Sequence, residues 1–125
     1  MPLLLDTHVL LWALTEDRRL RPEVRDQIAD GRTRVLVSAA SAWEITIKRA
    51  LGKLRAPGDL SDQLAAARFE GLALTTEHAL AVGDLPALHG DPFDRLLVAQ
   101  ARVEGLTLVT SDPQVQRYEV TVLPV

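Results

Sequence analysis

The chain has 125 residues, 47% hydrophobic and 25% charged, a length and apolar content that suit one compact domain over 1–125 and would leave two domains too small. No apolar run approaches the ~20 residues of a membrane span, and the start MPLLLD has neither a basic stretch nor a cleavage site, so the expected place is the cytoplasm, away from membranes. Zero cysteines exclude disulfides and thiolate-held metals, while the formal charge of −3 divides into +3 over residues 1–55 (10 Lys/Arg, 7 Asp/Glu) and −6 over 56–125 (4 Lys/Arg, 10 Asp/Glu).

In chain order, Leu3–Leu5 is an apolar run of strand length, ended by Asp6, with Thr7 opening the turn into a helix over His8–Leu14. Pro22–Asp30 follows as a helix with proline at its first position, then Val35–Val37 as the second strand. Ala40–Leu51, in SAASAWEITIKRALGKL, has helical spacing. A wheel at about 100° per residue puts Trp43, Ile47, Ala50 and Leu51 on one face and Glu44 at its border. Leu60–Glu70 reads as a helix, Leu72–Leu74 as a strand and Thr76–Val82 as a helix. Pro92–Glu104 is a helix behind a cap at Asp91, Leu106–Val109 a strand leading to Asp112 in TSDP, Pro113–Arg117 a short turn, and Val120–Leu123 the last strand. Strands alternating with helices, several nearly all apolar, imply an α/β fold whose parallel sheet of about five strands is covered on both faces. In such sheets ligands bind beyond the carboxyl ends of the strands.

Four acids fall at or near that edge. Asp6 and Asp112 each follow a strand, where an acid is also an ordinary helix N-cap. Glu44, one turn into its helix, either faces packed structure or pairs with Lys48 at i+4. Asp94 shares a helical face with Leu97, Val98 and Ala101, so an acid is aimed at an apolar surface, although the helix dipole also favours an acid in that first turn. Carboxylates gathered in a dry cleft raise one another's pKa values unless a divalent cation compensates. Oxygen ligands without cysteine or a histidine pair point to Mg²⁺, with Mn²⁺ as a substitute, and such sites suit phosphodiester hydrolysis.

The expected ligands are Asp6, Asp94 and Asp112, with Glu44 as a ligand or as the group that orients water on the metal. Thr7 and Ser111, adjacent to two of the acids, either hydrogen-bond carboxylates, water or phosphate or serve only their turns. Arg95 is a phosphate contact or an outward helix residue, and His8, His78 and His89 are scattered and read as structural or surface groups. The ten cations of the first 55 residues form either a phosphate-binding rim or solvated helix faces.

LLLDTHVLLWAL, SAASAWEITIKRALGKL, HGDPFDRLLVAQA and LTLVTSD, in this order and over nearly the whole chain, resemble the PIN-domain toxins of VapBC-type toxin–antitoxin pairs. The resemblance implies an α/β/α sandwich around a parallel sheet and a Mg²⁺- or Mn²⁺-dependent endoribonuclease. Its acidic quartet falls on Asp6, Glu44, Asp94 and Asp112. It also implies a cognate antitoxin that wraps the protein and blocks its site, and a homodimer that presents two sites to RNA. Trp12 and Trp43 either belong to the core or leave apolar surface for such partners. Phosphoaspartate receivers pair two acids after the first strand, and haloacid-dehalogenase-like phosphatases carry D-x-D where this chain has Asp6-Thr7-His8; neither pattern is met. A non-catalytic partner-binding module on the same fold, and a PIN nuclease of RNA processing outside a toxin pair, are the remaining alternatives.

Overall fold

The computed structural model describes residues 1–55 and 58–125. Among them are five strands, β1 (Leu3–Leu5), β2 (Val35–Ser38), β3 (Glu70–Leu72), β4 (Thr107–Thr110) and β5 (Val122–Pro124). Six α-helices connect them: α1 (Thr7–Thr15) and α2 (Pro22–Ala29) before β2, α3 (Ala39–Ala50) and α4 (Leu60–Ala66) before β3, α5 (Thr76–Ala81) and α6 (Pro92–Glu104) before β4. The strands pair in parallel in the order β3-β2-β1-β4-β5.

Leu4 stands opposite Leu36 on one side and Leu108 on the other, and strand alternation sorts the side chains into two apolar layers. Leu3, Leu5, Val35, Val37 and Val109 pack with Val9 and Leu10 of α1 and Val24 and Ile28 of α2, with Leu60 and Leu64 of α4 partly buried against them. Leu4, Leu36 and Leu108 face the other way, onto Leu97, Val98 and Ala101 of α6. The result is the α/β/α sandwich that buried, nearly all-apolar parallel strands require. No helix among the described residues is long and apolar enough to cross a membrane.

Four sequence expectations are corrected. The helix expected to reach Glu70 stops at Ala66, because Arg68 takes a left-handed conformation at φ 60°. Arg68 N–H then donates to Ala65 O and Phe69 N–H to Leu64 O, satisfying the last carbonyls without the glycine that usually marks such an end. The strand after it is Glu70–Leu72 rather than Leu72–Leu74, an edge strand whose Glu70 pairs with Arg34 across the sheet, so an apolar run is not what selects it. The last strand is likewise Val122–Pro124 rather than Val120–Leu123, on the opposite edge, where proline is tolerated.

The fourth correction concerns α3. Trp43 is 56% exposed and Leu51 62% exposed, so the face drawn by the helical wheel looks outward. Its buried face is Ala40, Ser41, Glu44 and Ile45: small residues let α3 lie against α1 and α6, and Glu44 stands at the centre of that contact rather than at its border. Trp12 is partly buried against the first apolar layer.

Candidate active site

The order of the strands reverses between β1 and β4, the place where an open α/β sheet forms a crevice beyond its carboxyl edge. Asp6 leaves β1 there, its N–H donating to Val109 O of β4 at 3.0 Å. Its Oδ1 accepts from Val9 N–H at 2.8 Å and caps α1, so capping and a place at the crevice coexist in one carboxylate. Asp112 stands two residues beyond β4, in a turn where its N–H donates to Thr110 Oγ1 and its Oδ1 accepts from Gln114 N–H. Asp94 lies in the first turn of α6, whose cap is Asp91, accepting from the N–H groups of Phe93 and Asp94 at 2.9 and 3.0 Å. Glu44 reaches the same crevice from α3; Thr7 donates to its Oε1 at 2.6 Å and Lys48 Nζ to its Oε2 at 2.5 Å.

Asp6, Glu44, Asp94 and Asp112 line one pocket of about 90 Å³, together with Thr7, His8, Lys48, Asp91 and Ser111. Six residues expected from sequence therefore meet in one place. Arg95 does not. Its Nη1 donates to Pro86 O at 2.9 Å and to the Tyr118 hydroxyl at 3.0 Å, which makes it a strut behind α6 rather than a phosphate contact. Of the ten cations of the first 55 residues, only Lys48 lines the pocket among the described residues. Arg19, Arg32 and Arg34 are instead paired with Asp17, Asp30 and Glu70 on the surface.

Sequence reasoning misses His89, whose Nε2 lies 3.3 Å from Asp94 Oδ2 while its Nδ1 lies 2.7 Å from the Tyr118 hydroxyl. The contact comes from the fold-back of the HGDPFD loop, five residues ahead of Asp94, and no periodicity reports it. His78 fits the structural reading: it is buried, with Nε2 2.8 Å from Glu104 and Nδ1 accepting from Thr75 N–H at the start of α5.

The electrostatics of the pocket are unbalanced, with five carboxylates facing one ammonium. Burial, and then the charge of Asp91, push the Asp94 carboxyl up to about 7, with Asp112 and Asp6 adding to the rise and the His89 hydrogen bond opposing it. Asp6 is raised as well, by burial first and by Asp112 last, against hydrogen bonds from Thr110 and Val9. Glu44 leads the causes that raise Lys48.

These are hard oxygen donors whose mutual repulsion a divalent cation relieves. Among the described residues no three carboxylates or histidines stand close enough to enclose an ion by themselves. A divalent cation here would be held from the pocket wall with water completing its shell, not by a closed all-protein cage. Asp6, Asp94 and Asp112 are the residues whose charges act on one another across the pocket, and they are the ones that would hold it.

A parallel sheet with crossover helices on both faces and an acidic crevice at its switch point defines a class. The chain belongs to the PIN domain family, whose model matches residues 3–120. Solved structures with the same fold include VapBC2 from Rickettsia felis bound to a DNA fragment from its promoter, at TM-score 0.75 and 17% identity over 100% of this chain and 99% of that one. DNA-bound VapBC from Salmonella typhimurium is similar at TM-score 0.67 and 17% identity, over 99% and 98% of the two chains. VapBC-1 from nontypeable Haemophilus influenzae is similar at TM-score 0.63 and 17% identity, with the same coverage. No curated protein gives a significant sequence match.

Proposed function

We propose that the chain is a divalent-metal-dependent endoribonuclease, the toxin of a VapBC-type toxin–antitoxin pair, with Mg²⁺ as its ion and Mn²⁺ able to substitute. The observation that carries the reading is the gathering of Asp6, Asp94 and Asp112, acids from three separate segments, in a single small pocket, where burial raises Asp6 and Asp94 and the charge of Asp112 adds to both. A fold would not keep such repulsion at its sheet edge for stability. When bound, the cation supplies positive charge to the phosphodiester and makes water a better nucleophile.

The protein's own residues do the rest. Asp6 and Asp112 are anchored by backbone N–H groups, so their positions are set before substrate arrives. Thr7 holds Glu44 at Oε1, and Glu44 is the carboxylate placed to orient water or to act as a further ligand. His89 braces Asp94 from behind, and Tyr118 braces His89. Ser111, in the pocket wall, offers a hydroxyl to phosphate or water. Hydrolysis then adds the water oxygen to phosphorus and its proton to the leaving oxygen.

Partner binding has its own support. A hollow of about 440 Å³ opens between α1, α2 and the end of α4, floored by Leu20, Ile28, Val35 and Phe69, with Arg25 and Arg68 in its wall. Glu16 and Asp30 line it too and balance those charges, so it is the apolar floor that suits a segment of a cognate antitoxin carrying apolar side chains. Trp43, next to Glu44 in sequence, stacks edge to face on Phe93 at 5.5 Å and leaves apolar surface near the site for a homodimer contact. The proposed setting is the cytoplasm, where RNA is accessible.

The test is RNA cleavage by the purified chain with Mg²⁺, Mn²⁺ or EDTA, with Asp94→Asn as control. Cleavage that requires metal and Asp94 is the expected result. Cleavage that persists in EDTA, or equally in Asp94→Asn, overturns the reading, and no cleavage together with no metal binding favours the partner-binding module.

A further inference from the structure

Among the described residues the acid pocket contains one lysine or arginine of its own. Lys48 sits one turn after Glu44 on α3, half-exposed in the pocket wall, and donates to Glu44 Oε2. Thr7 takes Oε1, so both oxygens of a carboxylate that is itself buried are committed to protein donors. An exposed Glu–Lys pair one turn apart on a helix is commonplace and contributes little. This pair differs because its carboxylate is buried and because Asp91 and Asp94, with no lysine or arginine of their own in the pocket, line the same wall as the ammonium.

We propose that Lys48 is a built-in counter-cation of the pocket: its ammonium balances the clustered acids in the metal-free protein and lowers the affinity for the divalent cation that replaces it. The inference rests on the metal-dependent reading of the site. Two effects act in the same direction. Like charges a few ångströms apart in a half-buried site repel, and Lys48 on Oε2 of Glu44 competes with an incoming ion or its water for that oxygen. Lys48 therefore acts through Glu44 and the field of the pocket, as a positioning residue, and sets how much free metal the protein needs before the site is complete.

The experiment is a Mn²⁺ titration of the full chain without RNA, followed by the electron paramagnetic resonance of free Mn²⁺, on wild type, Lys48→Gln and Lys48→Arg. Glutamine can still donate to Glu44 but carries no charge, whereas arginine keeps the charge. The expected result is Mn²⁺ binding roughly tenfold tighter in Lys48→Gln and near wild type in Lys48→Arg. The metal-free Tm of Lys48→Gln should fall and recover with Mn²⁺. A lysine that served only packing would lower that Tm without tightening Mn²⁺, and equal affinity in wild type and Lys48→Gln overturns the proposal. If Lys48→Gln folds only when Mn²⁺ is present, the proposal stands; if it is unfolded with and without Mn²⁺, the proposal falls. Failure of the wild type itself to bind Mn²⁺ overturns the metal reading beneath it, which is a different outcome from unchanged affinity in the variant.

Discussion

The acids of this protein live in two environments. Outside the pocket three acids are paired with an arginine, Asp17 with Arg19, Asp30 with Arg32 and Glu70 with Arg34, and Arg19 holds the Asp17 carboxyl down at about 2. At the carboxyl edge of the sheet five acids share Lys48, and Asp94 is pushed up to about 7. The chemistry is identical and the direction is opposite, because these three acids each meet an arginine near water while the pocket acids are partly dry and outnumber their cation. The three paired acids are compensated, whereas the pocket acids carry an excess of negative charge.

The largest expected effect comes from breaking the second group. Asp94→Asn should reduce metal-dependent RNA cleavage by at least about a hundredfold, as loss of a charged group at a reacting centre commonly does. Its metal-free Tm should be equal to or above that of wild type, because a raised carboxyl is a destabilising one. A Tm well below wild type would count against the clustered-acid account.

Next in size is pH dependence. Asp94 ionises near 3.8 in the unfolded chain and near 7 in the folded one, so below about 4 both states are protonated and there is no cost. Between about 4 and 7 the unfolded chain sheds the proton first, and stability of the metal-free protein falls as pH rises, levelling off above about 7. Asp6, raised for the same reason, acts in the same sense. Mg²⁺ or Mn²⁺ should reverse the fall, since only the ionised acids bind it. Melting curves from pH 4 to 8 with and without metal check this, and Asp94→Asn should flatten the metal-free curve.

A smaller effect is expected behind the site. Tyr118 is buried, and its hydroxyl accepts from Arg95 and contacts His89, which in turn meets Asp94. Tyr118→Phe should cost about 1 kcal/mol in a denaturant melt and lower cleavage modestly by loosening His89; an unchanged cleavage rate would show that Asp94 needs no brace. Smallest of all is Glu70→Gln, which removes an exposed pair at the far edge of the sheet and should leave both Tm and cleavage unchanged within measurement.

How far the sequence can be read depends on the range of the signal. Asp6 and Asp112 are visible because an apolar run followed by an acid is a local pattern, and Asp94 because its apolar neighbours recur at helical spacing on the same helix. The Asp91 cap is visible for the same reason and is found where expected. The outward face of α3 is not visible, because the wheel counts apolar residues and cannot know that small Ala40 and Ser41 admit α1 and α6. The end of α4 is hidden by Arg68, which takes a conformation that usually betrays itself as glycine.

By itself, then, the sequence determines the alternation of strands and helices, the burial of the central strands on both faces, and the four acids at element starts. Those properties follow from periodicities of two and 3.6 residues and from caps, all of them interactions within a few positions. Only the tertiary structure decides that His89 folds back onto Asp94, that Arg95 turns away to Pro86 and Tyr118, that Lys48 is the pocket's one cation among the described residues, and that Trp43 faces outward. Each of these depends on which distant element covers a face, and burial of apolar surface, which chooses that element, is non-directional and has no sequence range.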